Sequence, residues 1–229
     1  ALWRPPPHAV GRYALLLAFI LSGALLALFG QTYQTGADVY ELFLSWSLLG
    51  LAFVVAARWS VVWAAWILVL NVALTLFCAA RPEAGLFWTL VSGWDLDLSQ
   101  LLVLPLVVNV LLWLASVALE GSPWARLAPG WLGRLALAWA VAYGTWAGMI
   151  VVLRSGEGFV GLLVPLAVFA AVVMHTLRRR VDVFPLALIE ASLIVLSTTW
   201  IVEESGFDDV GVMFVIAAWL VVASTVSGR

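Results

Sequence analysis

Long apolar stretches separated by short polar or arginine-bearing breaks run the length of this chain. The stretches are continuous and show no period-two alternation, so each predicts a helix rather than a half-buried strand. They place spans at Tyr13–Phe29, Val39–Ala57, Val61–Ala79, Leu98–Leu119, Leu132–Leu153, Gly158–His175, Val183–Val202 and Val210–Val226. Each is near the roughly 20 residues that cross about 30 Å of hydrocarbon, and far longer than the roughly ten of a barrel strand. Within hydrocarbon every backbone polar group must be satisfied inside the protein, which leaves helices or closed barrels. The expected fold is therefore all-α: an integral membrane helical bundle of about eight transmembrane helices. Short connections make neighbouring helices antiparallel.

The charges between the spans sort by side. On the side of the N-terminus fall Arg4, Arg12, Arg58, Arg126, Arg134, Arg178, Arg179, Arg180 and Arg229; only Arg81 and Arg154 fall on the other. The acids mirror this, with Asp38, Glu41, Glu83, Asp95, Asp97, Glu157, Glu203, Glu204, Asp208 and Asp209 opposite, and Glu120 and Asp182 on the arginine side. By the positive-inside rule the arginine side is cytoplasmic. Both termini are then expected in the cytoplasm, because a miscounted span would scramble the signs.

Composition agrees with the bilayer as solvent. The chain of 229 residues is 65% hydrophobic and 10% charged, where a soluble domain carries about 25% charged residues. All 11 basic residues are arginine, which excludes a lysine nucleophile or a retinal Schiff base. The arginine, alanine, leucine and valine bias reads as a GC-rich bacterial genome, so the expected location is the bacterial cytoplasmic (inner) membrane. A net charge of −2 gives no footprint for nucleic acid. One cysteine and two histidines make no metal-ligand cluster, and no cofactor is called for. No GxSxG, HExxH or P-loop is present. Of the 14 tryptophans, Trp59, Trp63, Trp124 and Trp131 sit at the cytoplasmic interface and Trp88, Trp94 and Trp200 at the outer one, the pattern of aromatic belts.

Candidate chemistry lies in the polar residues within spans. Glu190 is the carboxylate placed well inside a helix, and an intramembrane acid costs about 2.5–3.5 kcal/mol on insertion scales. Ser197, seven residues on, shares its face. Two readings are open: a proton or cation site, or a neutral acid that bonds helices together. Asn71 and Asn109 fall near mid-membrane, where a buried amide must find partners. They either join two helices or meet Glu190 and Tyr143 in one polar pocket. Pro105 and Pro165 kink their helices. Ala140, Gly144 and Gly148 form a small-residue stripe that admits another helix, within the bundle or from a partner. The segments Arg81–Asp97 and Ser122–Arg134 are expected to lie along the two membrane surfaces.

The first outer loop, Gly30–Asp38, reads GQTYQTGAD. Gln31, Tyr33 and Gln34 are candidate ligand-binding residues beside the outer mouth, or they seal the bundle, and Asp38 can cap the second helix. The phrase from Leu28 to Leu44, LFGQTYQTGADVYELFL, resembles a bacterial multi-pass membrane family of unknown function, DUF2157. The tryptophan-containing helix at Val61–Leu76 and the tail EESGFDDVGVMF at Glu203–Phe214 are similar too. Members carry further sequence and spans before the phrase, so the resemblance implies an N-terminally incomplete chain with a single transmembrane domain over residues 1–229. It implies no catalytic residues. It implies, as a candidate partner, another integral membrane protein bearing a Gly-Asp-Tyr motif.

The functional expectation is a non-enzymatic subunit or scaffold of a membrane complex. The alternative is a small-solute or ion-coupled transporter with Glu190 as coupling site and Asn71, Asn109 and Tyr143 along the path. An intramembrane enzyme is disfavoured by the thin polar inventory.

Overall fold

The computed structural model describes residues 8–33, 38–80, 98–120, 130–154, 160–179, 182–205 and 219. These are helical, in the order α1 (Ala9–Tyr33), α2 (Val39–Ala57), α3 (Ser60–Ala80), α4 (Leu98–Leu101), α5 (Val103–Leu119), α6 (Gly130–Leu153), α7 (Val160–Arg179) and α8 (Val183–Ser205). Among the described residues, seven segments are long and apolar enough to cross a membrane, α4 and α5 counting together as one. The expected span at Val210–Val226 and the surface segment Arg81–Asp97 lie outside the described residues.

Most boundaries agree with the apolar pattern. Three differ for physical reasons. The first helix continues through Gln31 and Tyr33, because nothing in that polar stretch breaks a helix before Gly36. The sixth begins at Gly130, so the last residues of the expected surface segment Ser122–Arg134 are helical instead. The fourth span is broken at Leu102. Pro105 has no N–H to give the Leu101 carbonyl four residues back, so the ladder restarts there and Pro105 sits in the first turn of α5, where its ring is tolerated. Pro165 lies within α7 without ending it.

Asp38 occupies the N-cap position of α2, but its side chain makes no capping bond, contrary to the expected cap. Its backbone carbonyl accepts from Glu41 N (3.0 Å) and Leu42 N (3.4 Å) instead. Asp182 does cap α8, accepting from Phe184 N at 3.1 Å. Helices α2 and α3 are joined by Arg58 and Trp59 alone. Arg58 has φ 46° and ψ 40°, a left-handed conformation that costs a β-carbon-bearing residue about 1–2 kcal/mol.

The helices fall into two compact units. The first holds α1, α2, α3, the part of α5 from Asn109 and the start of α6 up to Ala136. The second holds α4, α5 up to Val108, α6 from Leu137, α7 and α8. Lipid tails are as apolar as leucine, so burial against water does not drive these helices together; close packing and hydrogen bonds do. In the first unit α2 packs along both α1 and α3. Gly50 of α2 makes room there: a β-carbon on it would come within 2.5 Å of the Phe19 ring and 3.2 Å of Trp66. In the second unit the stripe Ala140, Gly144 and Gly148 serves internal packing. Gly144 faces Leu106, Pro165 and Phe169, and Gly148 faces Leu162 and Leu196.

Candidate functional site

Each unit holds a polar side-chain pair between its long helices, Asn71–Asn109 in the first and Thr145–Ser192 in the second. In the first unit Asn71 of α3 and Asn109 of α5 are both fully buried. Asn109 Nδ2 donates to Asn71 Oδ1 at 2.7 Å, and Asn71 Nδ2 donates back to Asn109 Oδ1 at 3.1 Å. The second Asn71 Nδ2 hydrogen is accepted by Ile67 O at 2.8 Å, one turn earlier on α3. Thr75 Oγ1 donates to the Asn71 carbonyl at 2.8 Å. The two amides thus close a ring that fixes α3 against α5 in rotation and register. Neutral amides neither carry charge nor transfer protons at ordinary pH, and here each gives one donor and one acceptor to the other.

A second set of polar bonds joins α1, α2 and α3. Trp66 Nε1 of α3 donates to Ser47 O of α2 at 2.8 Å. Trp46 Nε1 of α2 donates to Phe19 O of α1 at 2.9 Å, and Ser22 Oγ donates to the same carbonyl at 2.7 Å. The Trp46 ring stacks on Phe19 at 5.4 Å. Helix carbonyls have a spare lone pair even when the helical ladder is complete, and indole N–H groups use it here. The aromatic belts expected from the sequence include neither Trp46 nor Trp66. The mid-span position of Trp46, away from either belt, is the available signal; Trp66, one turn from the belt residue Trp63, carries none. Trp66→Phe keeps the ring and removes the donor, so it is expected to lower unfolding stability in detergent by about 1 kcal/mol. An unchanged denaturation curve would mean the bond adds nothing.

In the second unit Thr145 of α6 and Ser192 of α8 share a hydrogen bond of 2.6 Å, while Thr145 Oγ1 also reaches Val141 O at 2.7 Å. Tyr143 is buried, its ring stacked on Trp139 at 5.9 Å. Glu190 lies elsewhere on α8. Pro185, Ile189, Ser192 and Leu196 form the buried line of that helix. Glu190 is exposed, about 130° round the helix from the middle of that line at 100° per residue. Its exposed neighbours one turn away are Ala187 and Leu193. Ser197 is on Glu190's side of the helix and donates to Leu193 O at 2.6 Å and to Ile194 O at 3.0 Å.

At the far end of the first unit, Gln31 and Tyr33 are exposed in the last turn of α1 rather than in a loop. Tyr33 packs its ring against Phe29 at 4.6 Å. Gln34 lies outside the described residues. The adjacent Tyr40 is buried, edge-on to Phe77 at 5.5 Å, with its hydroxyl 3.3 Å from Glu41 Oε1. Among the described residues no group of three or more His, Cys, Asp or Glu side chains is placed to hold a metal ion.

No curated protein and no solved structure matches the chain. The family resemblance carried by Leu28–Leu44 holds: residues 1–63, which contain α1, α2 and the first turn of α3, match the family described as "Predicted membrane protein (DUF2157)".

Proposed function

We propose that this chain is a non-enzymatic subunit of a bacterial inner-membrane complex, docking another integral membrane protein through the outer face of α8. The observation that carries this reading is the position of Glu190: an ionisable residue inside a span, on the exposed side of its helix, with the small residue Ala187 one turn before it. Intramembrane acids mostly face protein or water rather than lipid, and a small residue one turn from it leaves room for a second helix to approach on that side. The closed amide ring of Asn71 and Asn109 supports the same reading. Those two groups serve helix association, where a solute path would need them turned to a cavity.

The test is site-specific photocrosslinking in native membranes. A crosslinker at Ala191 is expected to trap one partner in stoichiometric yield, and a crosslinker at Ile189, on the buried line, to trap none. Glu190→Leu is expected to abolish the Ala191 adduct while the chain remains folded. Solute flux in liposomes containing this chain alone, lost in Glu190→Gln, would overturn the proposal in favour of transport.

A further inference from the structure

Two helices of the second unit carry a proline, and both lean on the same glycine there. Between α4 and α5 the backbone ladder passes from Leu102 N–Leu98 O at 3.1 Å to Leu106 N–Leu102 O at 3.3 Å. Pro105 has no N–H for the Leu101 carbonyl, and Pro165, inside α7, has none for the Gly161 carbonyl. A helix missing a ladder bond bends at that point. The two joints meet at Gly144 of α6. A β-carbon on Gly144 would lie 3.0 Å from Leu106 Cδ1, next to Pro105, and 3.1 Å from Pro165 Cβ. One turn further along α6, the β-position of Gly148 is 3.4 Å from Leu162 Cδ1 of α7. At both places α6 offers a surface without a side chain.

Beyond the joints α4 and the first turn of α7 are held to each other. Helix α4 packs against α7. A β-carbon on Gly161 would come within 2.6 Å of Ser99 Cβ and 3.0 Å of the Ser99 carbonyl carbon. The two backbones therefore touch there with no side chain between them. Ser99, Leu101 and Leu102 are all buried. Neither short piece can tilt without carrying the other or breaking this contact.

We infer that residues 98–102 and 160–164 form a flap that swings as one piece on the Pro105 and Pro165 joints, sliding over Gly144 and Gly148. A proline in one helix would give a bent helix. Two prolines that meet at a smooth face, in helices joined beyond it by a backbone contact, give a hinge with one shared axis. Opening costs no ladder bond at Pro105 or Pro165, where none exists. It draws Leu101 and Leu102 out of the core of the unit.

The experiment is hydrogen exchange at single-amide resolution on the full chain in phospholipid nanodiscs, where protection reports the opening that exposes each amide. The probes are the Leu102 amide, bonded to Leu98 O, and the Val164 amide, whose ladder acceptor is the Val160 carbonyl. They are expected to share one protection factor, with Phe169, past the joint on α7, much better protected. Pro105→Ala supplies the missing donor and should slow exchange at Val164 as much as at Leu102. The expected factor is about fivefold, the weight of one hydrogen bond. Pro165→Ala should do the same from the other helix. Alanine is the best helix former, so both variants should fold. In a chain carrying Gly161→Ala, which forces the two backbones apart, Pro105→Ala should slow Leu102 and leave Val164 unchanged. Unequal protection of the two probes in the parent, or a proline variant that slows only its own helix, would overturn the shared hinge. Equal protection at Phe169 and Val164 would overturn the joint at Pro165, since α7 would then be opening as a whole. Coupling that survives Gly161→Ala would overturn the Ser99 contact as the link.

Discussion

Replacing Asn71 with leucine is expected to destabilise the protein by about 1–3 kcal/mol, the penalty for a buried polar group that loses its partner. The magnitude comes from what is left behind. Interhelical hydrogen bonds in membranes average only about 0.6 kcal/mol, because the separated helices also find partners. In Asn71→Leu the Asn109 amide, fully buried, loses its reciprocal acceptor and donor in a place water does not reach. Asn109→Leu should behave alike, although Asn71 keeps its bond to Ile67 O. The double variant Asn71→Leu/Asn109→Leu removes both amides and should recover most of the loss, giving a coupling of about 0.5–3 kcal/mol in a double-mutant cycle. Unfolding of the four proteins in one detergent checks this. Strict additivity would mean the ring does not form.

The largest single effect is expected at Gly23. A β-carbon there would overlap the indole of Trp46, and Trp46 cannot retreat without giving up its bond to Phe19 O. Gly23→Val is therefore expected to cost about 2–4 kcal/mol, overpacking and the lost hydrogen bond together. Gly130→Ala is the control, because nothing lies within 4 Å of its β-position, and it should change stability by less than about 0.5 kcal/mol. Pairing Gly23→Ala with Trp46→Leu removes the overlap, so the pair should cost less than the sum of its parts. A Gly23→Val protein as stable as its parent would show that α1 and α2 pack otherwise.

What was legible in the sequence follows from which physics is local. The length of an apolar run is local, so the second expected span, Val39–Ala57, is where α2 stands, and the six other spans among the described residues lie within a turn or so of theirs. The break at Leu102 was foreshadowed by Pro105, because a missing N–H acts on its own helix. A partner is not local. Asn71 and Asn109 each announce that an amide needs a bond, but their sequences carry no address, and pairing with Glu190 and Tyr143 was as consistent with the pattern as the mutual ring. Glu190 was visible as an intramembrane acid. Its exposed side was not, since a helix that is apolar all round has no moment to orient it. Trp66 is hidden by its neighbour Trp63, because an indole one turn from an interfacial one looks like part of the same belt, whereas Trp46 stands apart at mid-span.

The Asn71–Asn109 ring also has a consequence in time. The two residues are 38 apart in the chain, so at a synthesis rate of about 5–20 residues per second α3 precedes its partner by about 2–8 seconds. The two-residue turn after α2 leaves little room for α2 and α3 to enter the bilayer separately, so they go in as a helical hairpin with Asn71 already at mid-depth. Through that interval the amide is carried by its own helix: Ile67 O, one turn back, is an acceptor that exists as soon as α3 does. The nascent hairpin can therefore wait in the membrane with its most polar mid-span group partly sheltered, and the arrival of α5 converts a local bond into the one that ties the unit together.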